Sequence, residues 1–270
     1  MKRIWLLIVM MLIAGLARAE ETLILGVQEY VRSPIQVAYD YKSLADYLGR
    51  VLNKTVRIES VKSYDQYMKK VAAKRFAFIF APPSMVIQGN KSAGYVPVAK
   101  FPGLIAASFI AMSKSGIAFP EDMKGKRVGF YEKNAMVTQL GMAYLSGEGI
   151  NPATYFKSVT YYMDFNDVLT AMQHNLIDVG VCNSTLFNAW SSRGNDLNLI
   201  AQGKGVPHLT FALRGDFPES VKATITKAIL EAHKDVDGRA FLDYAKFPSF
   251  EPAQLSDYED MVKTLTMKKS

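Results

Sequence analysis

A chain of 270 residues, 49% of them apolar, is long enough for one large core or two medium ones. Its formal charge of +7 comes from scattered Lys and Arg with no aromatic-basic stripe, which argues against nucleic acid as a partner. The single cysteine, Cys182, excludes an internal disulfide, so stability has to come from packing.

Residues 1–19 read as a secretory signal peptide. Lys2 and Arg3 form a basic start, residues 4–16 an apolar run, and Ala17-Arg18-Ala19 a small-x-small cleavage end. The run is too short to span a bilayer comfortably. Cleavage after Ala19 leaves a chain of about +4 and implies a periplasmic location, with no cysteine near the cut to carry a lipid anchor.

Residues 22–28 (TLILGVQ) are a strand whose following loop carries Tyr30, Arg32 and Ser33. Residues 39–52 read as one amphipathic helix, with Tyr41, Leu44, Ala45, Leu48 and Leu52 on one face. A strand at 56–61, a helix at 64–73 and the wholly apolar strand 76–80 (FAFIF) follow, and a helix starts near Met85. Residues 95–100 and 106–113 are further strands, the second a candidate crossing between domains. This order points to an α/β architecture with largely parallel sheets flanked by helices.

Residues 119–182 organise the rest. Strand 126–131 leads through a loop with Lys133 and Asn134 into a helix whose apolar spacing starts at Met136 and which ends near Gly147 and Gly149. Free N–H groups and the positive end of a helix dipole favour an anion at such a start, beside Lys133, Asn134 and Thr138. A strand at 159–162, a helix over 167–174 capped by Asp167, a strand at 177–181 and a helix from Ser184 follow. Cys182 then sits at a strand end, where ligands bind in open α/β sheets. Strands at 197–201 and 209–213, the latter a second candidate crossing, precede a helical tail, and His208 stands just before that crossing.

Catalytic chemistry finds little support. His174, His208 and His233 are far apart and have no Cys, Asp or Glu at metal-ligand spacing, and there is no G-x-S-x-G or glycine-rich phosphate loop. No metal or cofactor is expected. Loops after Gln28, Phe80, Tyr131 and Tyr162 instead carry Tyr, Ser, Lys, Asn and Asp, a lining suited to enclosing a small polar solute.

The order of segments resembles the periplasmic binding proteins of phosphonate, phosphite and phosphate ABC importers. It is carried by LILGV, YKSLADYLGRVLNKTVRIESVKSYDQY, FAFIFAPPS, EDMKGKRVGFYEKNA, GINPATYFKSVTYYMDFNDVLTAM, LIDVGV and GRAFLDYAKFPSF. The resemblance implies two α/β lobes closing on a ligand, lobe one from residues 20–110 and 208–270 and lobe two from 111–207. It places an oxyanion pocket on Tyr30, Ser84, the loop from Lys133 to Thr138, and Asn166 with Asp167. Asn134-Ala135-Met136-Val137 stands where such proteins usually carry Ser, Thr and Gly, and Asn166 where they carry His, so hydroxyl donors to a phosphate are fewer here. The implied partner is an ABC permease, and the protein is expected to be a monomer. Alternatives are a sensing partner of a membrane sensor kinase, with an arsenite-type branch that would use Cys182, and an enzyme on the same two-lobed fold.

Overall fold

The computed structural model describes residues 22–28, 32–61 and 63–266. The predicted signal peptide and Tyr30 lie outside the described residues.

The chain runs β1 (Leu23–Gln28), α1 (Pro34–Asp40), α2 (Lys42–Leu52), β2 (Val56–Val61), α3 (Tyr64–Ala72), β3 (Phe78–Ala81), α4 (Pro83–Ala93) and β4 (Tyr95–Lys100). It continues through β5 (Leu104–Ile105), β6 (Ala107–Met112), β7 (Arg127–Tyr131), α5 (Met136–Gly147), α6 (Pro152–Tyr155), β8 (Ser158–Tyr162), α7 (Phe165–Gln173) and β9 (Val179–Asn183). The last part is α8 (Ser184–Ser192), β10 (Leu197–Gln202), β11 (Val206–Pro207), β12 (Thr210–Arg214), α9 (Glu219–Glu231), α10 (Val236–Ala245), β13 (Glu251–Pro252) and α11 (Glu259–Thr266).

Two sheets follow from this order, β13-β4-β12-β3-β1-β2 and β10-β6-β9-β7-β8. The chain leaves the first sheet after β4 and returns to it at β12, and the short strands β5 and β11 made at the two crossings pair antiparallel with each other. The sheets are mixed rather than mainly parallel. Pairs β1–β2, β1–β3, β7–β8 and β7–β9 are parallel, whereas β6 and β12 run antiparallel to both of their neighbours. A strand that arrives straight from the other sheet, with no helical crossover, is free of the geometry that makes βαβ neighbours parallel.

The predicted helix over 39–52 is two helices. Ser33 Oγ accepts from Gln36 N at 3.2 Å and Pro34 opens α1, which stops at Tyr41 before α2 begins. β9 reaches Asn183, so Cys182 is inside a strand and not at its end. β7 packs tightly at Gly129, where a Cβ would meet Ile177 Cδ1 at 2.4 Å, and only glycine leaves that space. At the start of β7 the Arg127 guanidinium forks onto Asp178, at 3.0 and 2.7 Å, which ties β7 to the entry of β9 and holds the Asp178 carboxyl below its usual range.

Burial is organised on both sheets. Under the first lies an aromatic cluster in which Phe101 stacks on Phe247 at 4.0 Å and on Phe250 at 5.0 Å and meets Phe80 edge-on at 5.2 Å. Under the second, Phe109 and Phe130 pack with Tyr258 and Met261 of the C-terminal segment, and α11 lies against α5. Tyr258 Oη and Thr210 Oγ1 are 2.9 Å apart, so this segment is also bonded to the first sheet at β12.

Candidate functional site

Parallel strands end on one edge, and here the ends of β1 and β3 face those of β7 and β9. A cleft of about 400 Å³ lies there. The first side supplies Gln28 at the end of β1, Arg32, Tyr64 at the start of α3, and Ser84 and Met85 at the start of α4. The second supplies Tyr131 at the end of β7, residues 134–137 at the entry of α5, Phe165 at the start of α7, and Asn183, Thr185 and Leu186 at the start of α8. Ile105 and His208, beside the two crossings, and Phe247 close the remaining wall. Open α/β sheets place ligands at such carboxyl ends.

The helix starts differ in what already satisfies them. Asp164 Oδ1 accepts from Asn166 N at 2.7 Å and caps α7, and Asn183 Oδ1 accepts from Leu186 N at 2.8 Å and caps α8. At α5 the N-cap is Ala135, which has no side-chain acceptor to offer, and at α4 it is Pro82. The first-turn amides of α5 therefore open on the cleft with no side chain to receive them, and the helix dipole adds its positive end. Arg32 is the one charged side chain among the described lining residues. Its Nη1 is 2.7 Å from Asp40 Oδ2 and its guanidinium lies 5.6 Å from the Tyr244 ring centre, so part of its charge is already engaged.

His208 is a neutral donor. Only 8% of it is exposed, and its ring sits edge-on to Phe101 and Phe247. Leu209 N donates to Nδ1 at 2.8 Å, which leaves the proton on Nε2. Burial lowers its pKa from 6.5 to about 4. The unfolded chain then takes up a proton below pH ~6.5 that the folded chain refuses until pH ~4, so this group removes stability as pH falls through that window, about 2 kcal/mol by pH ~5. Urea melts of wild type and His208→Asn at neutral pH and in acid should differ by that amount, the variant falling less steeply. Parallel curves would show that His208 is not held neutral.

The residues singled out from sequence scatter around this cleft. Ser84 and Asn134 line it. Lys133 is exposed and Thr138 is 1% exposed, and both border a separate groove with Gln139, Tyr161 and Leu265. The Thr138 hydroxyl is already donated to Tyr131 O at 2.8 Å. Asn166 and Asp167 are exposed in the first turn of α7 and do not line the cleft, and the cap there is Asp164, not Asp167. Cys182 is fully buried among Ile110, Val168, Met172 and Trp190, and burial pushes its thiol up to about 12, which keeps it protonated. Among the described residues no group of His, Cys, Asp and Glu is placed to hold a metal. Sequence reasoning missed Gln28, Tyr64, Phe165, Asn183 and Thr185. Gln28 and Asn183 share a signal that was available, a position at the end of a strand.

Residues 31–258 match the periplasmic substrate-binding protein family of phosphonate ABC transporters. The chain belongs to that family. Its fold is similar to PhnD1 from Prochlorococcus marinus, described in complex with methylphosphonate, at 14% identity and a TM-score of 0.79, over 92% of this chain and 98% of that one. A binding-protein component of a phosphonate ABC transporter from Pseudomonas aeruginosa gives 14% identity and 0.76, over 93% and 87%. A protein from Xanthomonas citri bound to ATP gives 15% and 0.76, over 91% and 96%. Membership makes the chain a periplasmic substrate-binding protein that takes a small ligand and works with an ABC permease. Among the described residues no helix is long and apolar enough to cross a membrane.

Proposed function

We propose that the cleft captures a phosphonate-type oxyanion at the open start of α5 and that the two lobes close on it for delivery to the permease. The lobes would be residues 20–110 with 208–270, and 111–207, the C-terminal helix reaching across to α5. One observation carries this reading: α5 meets the cleft through Ala135, so the amides of its first turn have no side-chain acceptor, and a bound oxygen anion would complete them. Ser84, the His208 Nε2–H and the Arg32 guanidinium add donors around the same space.

The hydroxyl run that phosphonate binders usually carry is replaced by Ala135, Met136 and Val137, so backbone N–H groups take on more of the pairing that a buried oxyanion needs. Binding and closure are the whole activity on this reading, with no catalytic group required, and the protein acts as a monomer. Isothermal titration of phosphate, methylphosphonate, phenylphosphonate, sulfate and ATP, paired with melting temperature, tests it. Saturable binding of a phosphonate with a thermal shift is expected. No heat and no shift from any of these anions would overturn it.

A further inference from the structure

We propose that the amino edge of the first sheet is a docking surface for an anionic phospholipid membrane, which holds the protein at the surface where its permease sits. This edge lies opposite the cleft, so the inference stands apart from the choice of ligand.

Six cations gather there from four segments. Arg57 lies near the start of β2, Lys69 and Lys70 in the last turn of α3, Lys74 and Arg75 in the turn that leads to β3, and Arg214 at the end of the antiparallel strand β12. Ion pairs join them into one patch. Glu59 accepts from Lys70 at 2.6 Å and from Arg75 at 3.2 Å, and Asp216 accepts from Arg214 at 2.9 Å with Lys74 3.9 Å away. Arg57 stands two residues before Glu59 on β2 and therefore on the same face of the strand. Two carboxylates thus serve six cations. The surplus of four equals the net charge of about +4 that the predicted cleavage leaves to the whole chain, so the remaining surface is close to neutral.

Helix chemistry explains only part of this gathering. Lys69 and Lys70 complement the negative end of the α3 dipole. Arg57, Lys74, Arg75 and Arg214 sit in strands and a turn, where no dipole calls for them. The Lys74 and Arg75 side chains are 48% and 57% exposed, and Arg57 and Lys69 are exposed with no acidic partner among the described residues.

The course of the chain says which anion is met. β1 enters the fold at this same edge, where Leu23 pairs with Val56, the neighbour of Arg57. In the sequence only six residues, 17–22, separate β1 from the apolar run 4–16. Six residues reach roughly 20 Å at full extension, so while that run sits in a membrane the basic edge stays close to the headgroups. After cleavage the same charges hold it there, because each Lys or Arg near an anionic lipid surface contributes about fivefold to partition. Such a hold is screened by salt and weak enough to let the protein turn its cleft toward the permease.

The test is co-sedimentation of the exported protein with vesicles of phosphatidylglycerol and phosphatidylethanolamine, and with vesicles of phosphatidylcholine alone, at low salt and at ~1 M salt, where the screening length is about 3 Å. One variant combines Arg57→Glu, Lys69→Glu and Lys74→Glu, and a control of equal charge combines Lys114→Glu, Lys124→Glu and Lys157→Glu, all exposed around the second sheet. Wild type should sediment with the anionic vesicles, at low salt only. The edge variant should lose at least about a hundredfold in partition and the control less than about tenfold, with both melting within a few degrees of wild type. Arg57→Gln with Lys69→Gln is milder, should lose about 25-fold, and decides the matter if the triple variant does not fold. Equal binding to both kinds of vesicle, equal losses in the edge and control variants, or no binding to anionic vesicles at low salt would overturn the docking surface.

Discussion

Ala135→Asp lowers oxyanion affinity by about two to three orders of magnitude while leaving the fold intact. Ala135 is the N-cap of α5 and lines the cleft, so a carboxylate there accepts the first-turn amides that the ligand would otherwise use. It also sets a negative charge beside the ligand. Two like charges ~4 Å apart at an effective dielectric constant of ~20 repel by about 4 kcal/mol, which is the origin of the expected loss. On the folded protein the effects oppose each other: a side-chain cap contributes about 1 kcal/mol, and partial burial of the carboxylate takes a similar amount back. Melting temperature is therefore expected to stay within a few degrees of wild type while binding heat disappears. Ala135→Asn separates charge from capping, because it occupies the amides without the negative charge and should retain more affinity than Asp. Equal binding by wild type and Ala135→Asp would remove the α5 start from the site.

Phe101→Ala carries the largest expected loss of stability, about 3–5 kcal/mol. Phe101 is 2% exposed and stacks or meets edge-on with Phe80, Phe241, Phe247, Phe250 and the His208 ring. Truncation leaves a cavity and also forfeits several aromatic pairs worth about 0.5–1.5 kcal/mol each. Against a typical domain stability of about 5–15 kcal/mol, that is a large share. A second consequence follows from position. Phe247 and His208 line the cleft and both rest on Phe101, so the surviving folded fraction should bind more weakly as well. Denaturant unfolding measures the first effect and titration well below the new midpoint the second. A loss under about 1 kcal/mol would mean that the neighbouring rings collapse into the space.

Local pattern carried much of the architecture. The strands 56–61 and 95–100 and the start of the helix at Met136 coincide with β2, β4 and α5, because each has strong periodicity and clear breakers at its ends. The two-residue strands β5 and β11 left no pattern, since Leu104–Ile105 and Val206–Pro207 are defined only by pairing with each other across the chain. The antiparallel placement of β6 and β12 was hidden for the same reason: direction within a sheet belongs to the connection and not to the strand. At the site, the α5 start was legible from the loop and glycine signals around it, yet which side chains of the loop turn inward was not. Lys133 and Thr138 look like ligand groups by type, but they border another groove, while Ala135 and Met136, which look inert, line the cleft.

Titration of methylphosphonate and phenylphosphonate into wild type and Ala135→Asp in parallel tests the central claim most directly. The expected result is one-site binding with a rise in melting temperature for wild type, and neither for the variant at the same concentrations, although both unfold cooperatively. Binding of equal strength in both proteins, or no binding of either compound to wild type, would contradict an oxyanion held at the start of α5.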